Sequence, residues 1–281
     1  MADVPSVEFD HCRELVLLPG SVFEFTSRFL PPGKLEPVLA LYALRQAVCS
    51  IPLSRVDDSV KWAKLKWWSE ELVADPGAPS RHPVLRALWL SGARARLDNA
   101  QLFHLVSDAM AQIDVVPDSD ENAMLDRLAA FGTTEIRLEL ALDVADIDSR
   151  SLRWLAAATG MFRLISSFAL NHQPEVARLP LSVLARHAVS LQQLEQRTSM
   201  VELTQIIEHL SAVALDWFSS GLSDLKIRPE SAAGQHLQLR WAMEKRRLNS
   251  IRQDARGFLE TGKRYGPADA WFAWRYLRHL R

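Results

Sequence analysis

An all-α fold in a single domain is what this sequence predicts, and three observations carry that reading. Helix-forming Leu, Ala, Arg, Glu and Gln dominate, while only 11 of the 281 residues are glycine. Few stretches alternate apolar and polar residues with the period of two that marks strands. Apolar residues instead recur at helical spacing, in segments parted by short proline- and glycine-bearing breaks, enough for roughly ten helices or more.

The elements follow in order. Ser21 caps a first helix through "SVFEFTSRFL", which "PPG" at Pro31–Gly33 ends. Pro37 suits the first turn of the next helix, "PVLALYALRQAV", and Pro52 interrupts the chain after it. A further helix carries Trp62, Leu65, Trp68 and Leu72 at helical spacing. "ADPGAPSRHP" reads as a loop, and Pro83 starts a helix through "PVLRALWLSGARARL". "NAQLFHLVSDAMAQI" shows an apolar face at Leu102, Leu105, Val106, Ala109 and Ile113, before the acidic loop "DVVPDSDEN". Helices then run through "AMLDRLAAFGTTEIRLELALDV" and "SRSLRWLAAATGMFRLISSFAL". After the break "NHQPEVARLP", helical patterns return in "PLSVLARHAV" and from Ser190 to Leu225. The linker "KIRPESAAG" leads into the last helices. The chain reads as one domain over 1–281, with a core over 21–230 and basic, aromatic C-terminal helices over 235–281.

Charge narrows the function. The net charge is −1, so the molecule as a whole gives no nucleic-acid signal. The balance is uneven: from Arg240 to Arg281 there are 11 Lys/Arg against 4 Asp/Glu, a net of +7. Within that stretch, "YGPADAWFAWRYLRHLR" interleaves Trp271, Phe272, Trp274 and Tyr276 with Arg275, Arg278 and Arg281. Such a helix suits a membrane interface, a partner's groove or the closing of the domain end. Cys12 and Cys49 give no disulfide framework, and reduced cytosolic thiols are the simple reading. No secretory signal is expected at the N-terminus. The longest apolar run, Leu152 to Leu170, carries Arg153 and Arg163 and reads as a buried helix rather than a membrane span.

No Walker loop, GxGxxG, Cys/His metal pattern or serine elbow is present, and the eight histidines are scattered. Six segments in order nevertheless resemble the squalene/phytoene synthase family: "SVFEFTSRFLPPGK", "LALYALRQAV", "KLKWWSEEL", "HPVLRAL", "ATGMFRLISSFALN" and "RLPLSVLARHAVS". The resemblance spans roughly Ser21 to Ser190 and implies the all-α isoprenoid synthase fold, with helices around a central apolar cavity. In that family two aspartate-rich helical segments hold Mg²⁺ against prenyl diphosphates, because a diphosphate leaving group needs hard cations bound by oxygen ligands.

At the positions matching the first motif, DDxxD, this chain has Cys49, Ser50 and Leu53. The family's preceding arginine matches Gln46, with Arg45 beside it. Against the second motif, "QLTNILRD", the chain reads Leu164, Ile165, Ser166, Ser167, Phe168, Ala169, Leu170 and Asn171. Arg163 precedes it, and Arg178 replaces the tyrosine before "LP". Ser21 matches a serine that contacts phosphate in the family, and "DAMAQID" keeps Asp108 of a third acidic stretch. Ser21, Arg45, Gln46, Arg163 and Ser166 are therefore the candidate cavity or phosphate-side residues. Asp57 and Asp58 read as a helix start, with Asp58 or Ser59 capping. Together with Asp108 they are also the weak candidates for a metal.

The resemblance implies a catalytically degenerate member that binds an isoprenoid or other lipid, or a partner protein. It is similar in this to the branch that includes mitochondrial respiratory complex I assembly factors. The alternatives are an active Mg²⁺-dependent prenyl transferase using Asp57, Asp58, Asp108, Asp114 and Glu135, and a purely structural helical module. No cofactor is expected unless the enzyme reading holds, which needs Mg²⁺. The expected location is cytoplasmic, peripheral to the inner face of a membrane if the C-terminal tail docks there.

Overall fold

The computed structural model describes residues 7–73, 80–114, 116–143, 145, 147–169, 178–196, 199–223, 225–227, 231–262 and 265–280. These residues form α-helices and one 3₁₀ turn, with no strand among them. The order is α1 (Val7–Val16), α2 (Val22–Ser27), α3 (Leu35–Cys49), α4 (Asp58–Val73), α5 (Pro83–Leu90), α6 (Asn99–Met110) and α7 (Glu121–Ala141). Then come α8 (Ser149–Ala169), α9 (Leu181–Arg186), α10 (Leu191–Glu195), α11 (Met200–Leu222), α12 (Ala232–Gln253), α13 (Ala255–Thr261) and α14 (Pro267–Leu280).

The boundaries follow local chemistry. Ser21 caps α2, its side chain accepting from the Glu24 amide. Asp98 and Gln101 form a capping box on α6, and Asp120 accepts from two amides at the start of α7. The helix expected from Pro83 to Leu97 breaks after Leu90, because Gly92 takes a left-handed φ of +71°. The stretch expected as one helical run from Ser190 divides into α10 and α11. One helix was not expected: α1, which buries Phe9, Cys12 and Val16 and packs on α3 and α5.

Two apolar cores result. One joins α7, α8, α11, α12 and α13, centred on residues such as Met161, Phe168, Phe218 and Trp241. The other joins α1, α3, α4, α5 and α6 around Leu39, Leu44, Leu65, Leu88 and Leu105. A small third cluster seats α14 through Ala273, with Phe25, Leu239 and Met243. α12 runs through the interior, burying His236, Arg240, Trp241 and Glu244, so the packed core extends past residue 230.

α7 and α8 pack closely at Gly132. A Cβ there would lie 2.9 Å from the Ala156 carbonyl oxygen, a backbone atom that cannot swing away. Gly132→Ala therefore gains up to about 1 kcal/mol of helix propensity but forces the helices apart, at about 1–3 kcal/mol. A net loss in urea-denaturation midpoint is the expected outcome.

Candidate functional site

Where α3, α7, α8 and α12 meet, the seam between the two large cores is charged. Arg45 of α3 donates to Glu135 of α7 at 2.5 Å, and Arg163 of α8 pairs with the same Glu135 carboxylate. One α7 turn further on, Glu139 accepts from Tyr42 Oη at 2.8 Å, lies 2.6 Å from His236 Nδ1 and pairs with Arg240 at 3.3 Å. Arg240 also pairs with Tyr42 and faces Glu244 at 3.4 Å, while Thr159 donates to Glu244 at 3.0 Å. Thr26 closes the chain of contacts at His236 Nε2, 3.1 Å away. Three arginines thus meet three glutamates, and every side chain but Arg163 is almost wholly buried.

The charges dictate the protonation states. Burial pushes the Glu135 carboxyl up, but Arg163 and Arg45 outweigh it and hold the group down at about 2. Burial also opposes ionisation of Glu139, and His236 and Arg240 outweigh it in the same sense. For Glu244, burial wins over Arg240 and the carboxyl sits above its ordinary range. Arg45 Nε and Nη1 and Arg240 Nη2 are buried without a hydrogen-bond partner. Such a network adds little net stability, since desolvated charges with unmade bonds return little net energy.

Glu135 and Glu139 lie one helical turn apart on the buried stripe of α7 that also carries Leu125, Leu128 and Gly132. Their charge, matched by arginines from α3, α8 and α12, occupies the ground between the cores.

The residues at the two motif positions are placed as follows. Cys49 ends α3, and its thiol points at Glu135 Oε1, 3.7 Å away. Burial, then the Glu135 charge, push that thiol far above its ordinary range, so it is not a thiolate. Ser50 forms the C-cap of α3, its amide bonded to the Gln46 carbonyl, and Leu53 is exposed. Gln46 is exposed too, and its neighbour Arg45 is the residue that turns inward. On α8, Leu164 is buried, Ser167 Oγ donates to the Leu164 carbonyl, and Ser166 is half-buried. Arg163 keeps 40 % of its side chain accessible, so it reaches the buried Glu135 from the solvent side. Leu170 and Asn171 lie outside the described residues. Ser21 serves as the α2 cap described above.

Of the carboxylates named as alternative ligands, Asp108 lies near enough to Glu135 for their charges to repel, while Asp57, Asp58 and Asp114 lie at the surface. Asp57 and Asp58 are exposed at the start of α4. α4 begins at Asp58, so the capping position is Asp57, whose carbonyl accepts from the Lys61 amide at 3.1 Å. Asp58 pairs with Lys61 at 2.8 Å. Asp108 accepts from Thr134 Oγ1 at 2.6 Å, and its burial raises its pKa. Asp114 is exposed. Among the described residues no group of three or more His, Cys, Asp or Glu side chains is placed to hold a metal ion.

Hard oxygen ligands are what Mg²⁺ requires. A protonated thiol, a helix-capping serine and an exposed leucine do not supply them. The nearest buried carboxylate, Glu135, is already neutralised by two guanidinium groups. Among the described residues, the end of α3 therefore supplies no carboxylate set for Mg²⁺.

A cleft does open beside this region. It has a volume of about 700 Å³ and lies between the end of α3 and α4, lined by Ser50, Ile51, Val60, Trp67, Trp68 and His82 among others. Trp68 packs edge-on against His82 at 4.7 Å, and Trp67 flanks it at 5.1 Å. Lys64 stands on its rim.

The fold and the helix-lined interior define the class first: this is an isoprenoid synthase-type helical domain. A crystal structure of a dehydrosqualene synthase in complex with ligand matches with a TM-score of 0.70 at 15 % identity, covering 97 % of this chain and 95 % of that one. The squalene synthase HpnC from Alicyclobacillus acidocaldarius matches with a TM-score of 0.64 at 18 % identity, over 88 % and 93 % of the two chains. In comparison with curated proteins, none matches. The family model for squalene/phytoene synthase matches residues 19–265, and the chain belongs to that family.

The residues of the seam were not singled out from the sequence as a unit. Arg45, Arg163, Glu135 and Arg240 figure in the sequence reading only in other roles. The available signal was the i, i+4 pairs Glu135/Glu139 and Arg240/Glu244, each lying on a helix stripe whose other members are mostly apolar.

Proposed function

We propose that this chain is a non-catalytic member of its family that binds an apolar molecule of the isoprenoid or lipid class in the cleft between α3 and α4. The observation that carries the reading is the state of the α3 C-terminus. Where the family places metal-binding carboxylates stand Cys49, Ser50 and Leu53, and the facing Glu135 is consumed by Arg45 and Arg163. The cleft has the size of ordinary small-molecule sites, roughly 300–1,000 Å³, and an indole-rich wall.

Calorimetric titration with farnesol and with farnesyl diphosphate, each with Mg²⁺ and with chelator, tests this. Farnesol is expected to bind, Trp67→Ala to weaken it, and Mg²⁺ to leave diphosphate affinity unchanged. Affinity for the diphosphate that rises with Mg²⁺ would contradict the reading. The charge-filled seam favours a second reading, a structural module that acts through a protein partner, and the absence of farnesol binding would select it.

A further inference from the structure

α14 divides cleanly into two faces. Ala273 is fully buried, and Phe272, Tyr276 and Leu277 pack beside it against the cluster that includes Phe25, Leu239 and Met243. The opposite face carries Trp271, 59 % exposed, and Trp274, 51 % exposed, in line with Arg275 and Arg278. These four residues follow i, i+3, i+4, i+7 spacing, so they form one stripe along the helix.

The stripe is organised. The Arg275 guanidinium lies over the Trp271 ring at 5.4 Å from its centroid, and Arg278 lies over Trp274 at 4.7 Å. Each arginine thus lies over an indole ring. The acidic residue at the start of the helix, Asp269, is taken by Arg246 at 2.8 Å. Among the described residues no carboxylate pairs with Arg275 or Arg278. Two exposed indoles and two cations without carboxylate partners make a surface that is apolar and positive together.

We propose that the outer face of α14 docks on an anionic lipid surface, with Trp271 and Trp274 at headgroup depth and Arg275 and Arg278 on lipid phosphates. Tryptophan is the side chain best suited to the boundary between hydrocarbon and water. Planar guanidinium groups bind phosphate oxygens in pairs. A second copy of the chain is a poor occupant, because two such faces would bring four arginines together. No helix of the described residues is long and apolar enough to cross a membrane, so the contact is peripheral. This surface is independent of the cleft between α3 and α4 and of the proposed binding there.

Co-sedimentation of the full chain with vesicles of phosphatidylcholine, with and without added phosphatidylglycerol, tests the proposal. The chain is expected to pellet with the anionic vesicles only, and to be released as salt is raised. Arg275→Gln with Arg278→Gln should lower the partition coefficient about thirtyfold, about fivefold for each charge near the surface. Trp271→Ala with Trp274→Ala should weaken it further at high salt than at low salt. All four side chains are exposed, so circular dichroism should show both variants folded. Failure of the wild-type chain to pellet with anionic vesicles would overturn the proposal. So would undiminished binding by the arginine variant, or concentration-dependent dimerisation that the tryptophan variant abolishes.

Discussion

Glu139→Leu is expected to destabilise the fold by about 3–5 kcal/mol, the usual cost of removing one partner from a buried ion pair. Glu139 has no exposed surface, and three groups depend on it: Tyr42 Oη, His236 Nδ1 and Arg240. Leucine fills much of the same volume, so lost packing is a minor part of the effect. The cost lies in Arg240, which already leaves Nη2 without a bond and would keep only its contacts with Tyr42 and Glu244. Urea denaturation should show a lower midpoint with little change in slope. Combining Glu139→Leu with Arg240→Met, His236→Leu and Glu244→Gln should recover most of the loss, because the mutually dependent buried charges then leave together. A loss below about 1 kcal/mol for the single variant would show that the seam is far wetter than its burial indicates.

Acid should unfold this protein through the same seam. Glu135 is held at about 2 in the fold against an ordinary value of 4.5. A carboxyl with a depressed folded pKa favours folding above the unfolded value and loses that contribution as pH falls through the folded one. The contribution is therefore complete above about pH 4.5 and lost progressively toward about pH 2. The difference between 4.5 and about 2 corresponds to about 3 kcal/mol from this residue. Glu139 is shifted in the same direction and adds to the effect. Glu244 is raised, so its contribution has the opposite sign and is lost as pH rises. Stability measured between pH 6 and pH 3 should fall steeply for the wild-type chain and more gently for Glu135→Gln. Equal slopes would contradict the assignment of charge to Glu135.

The fold was legible where apolar periodicity and proline or glycine breaks were strong. α3, α7 and α8 lie where their patterns put them, and Ser21 caps as its position indicates. α1 escaped notice because its sequence, "VEFDHCRELV", mixes charge with only three buried side chains. The break at Gly92 depends on a left-handed turn that periodicity does not register. The family motifs led to Cys49, Ser50 and Leu53 at and beyond the end of α3, none of which is a carboxylate. The seam itself was illegible for a physical reason. Glutamate and arginine at i, i+4 spacing are the ordinary signature of a solvated helix face, and only the meeting of four helices turns those faces inward. Arg45 illustrates this: in sequence it is a neighbour of Gln46, the motif position, yet Arg45 is buried and Gln46 is exposed.

If the chain is non-catalytic, as proposed above, the diphosphate chemistry of the family does not occur in it. Pyrophosphate release from farnesyl or geranylgeranyl diphosphate, measured with purified full-length protein and excess Mg²⁺, tests it most directly. Release indistinguishable from the protein-free control is expected. Turnover at ordinary enzyme rates, about 1 s⁻¹ or faster, would contradict it and would require carboxylates other than those at the end of α3 to hold the metal.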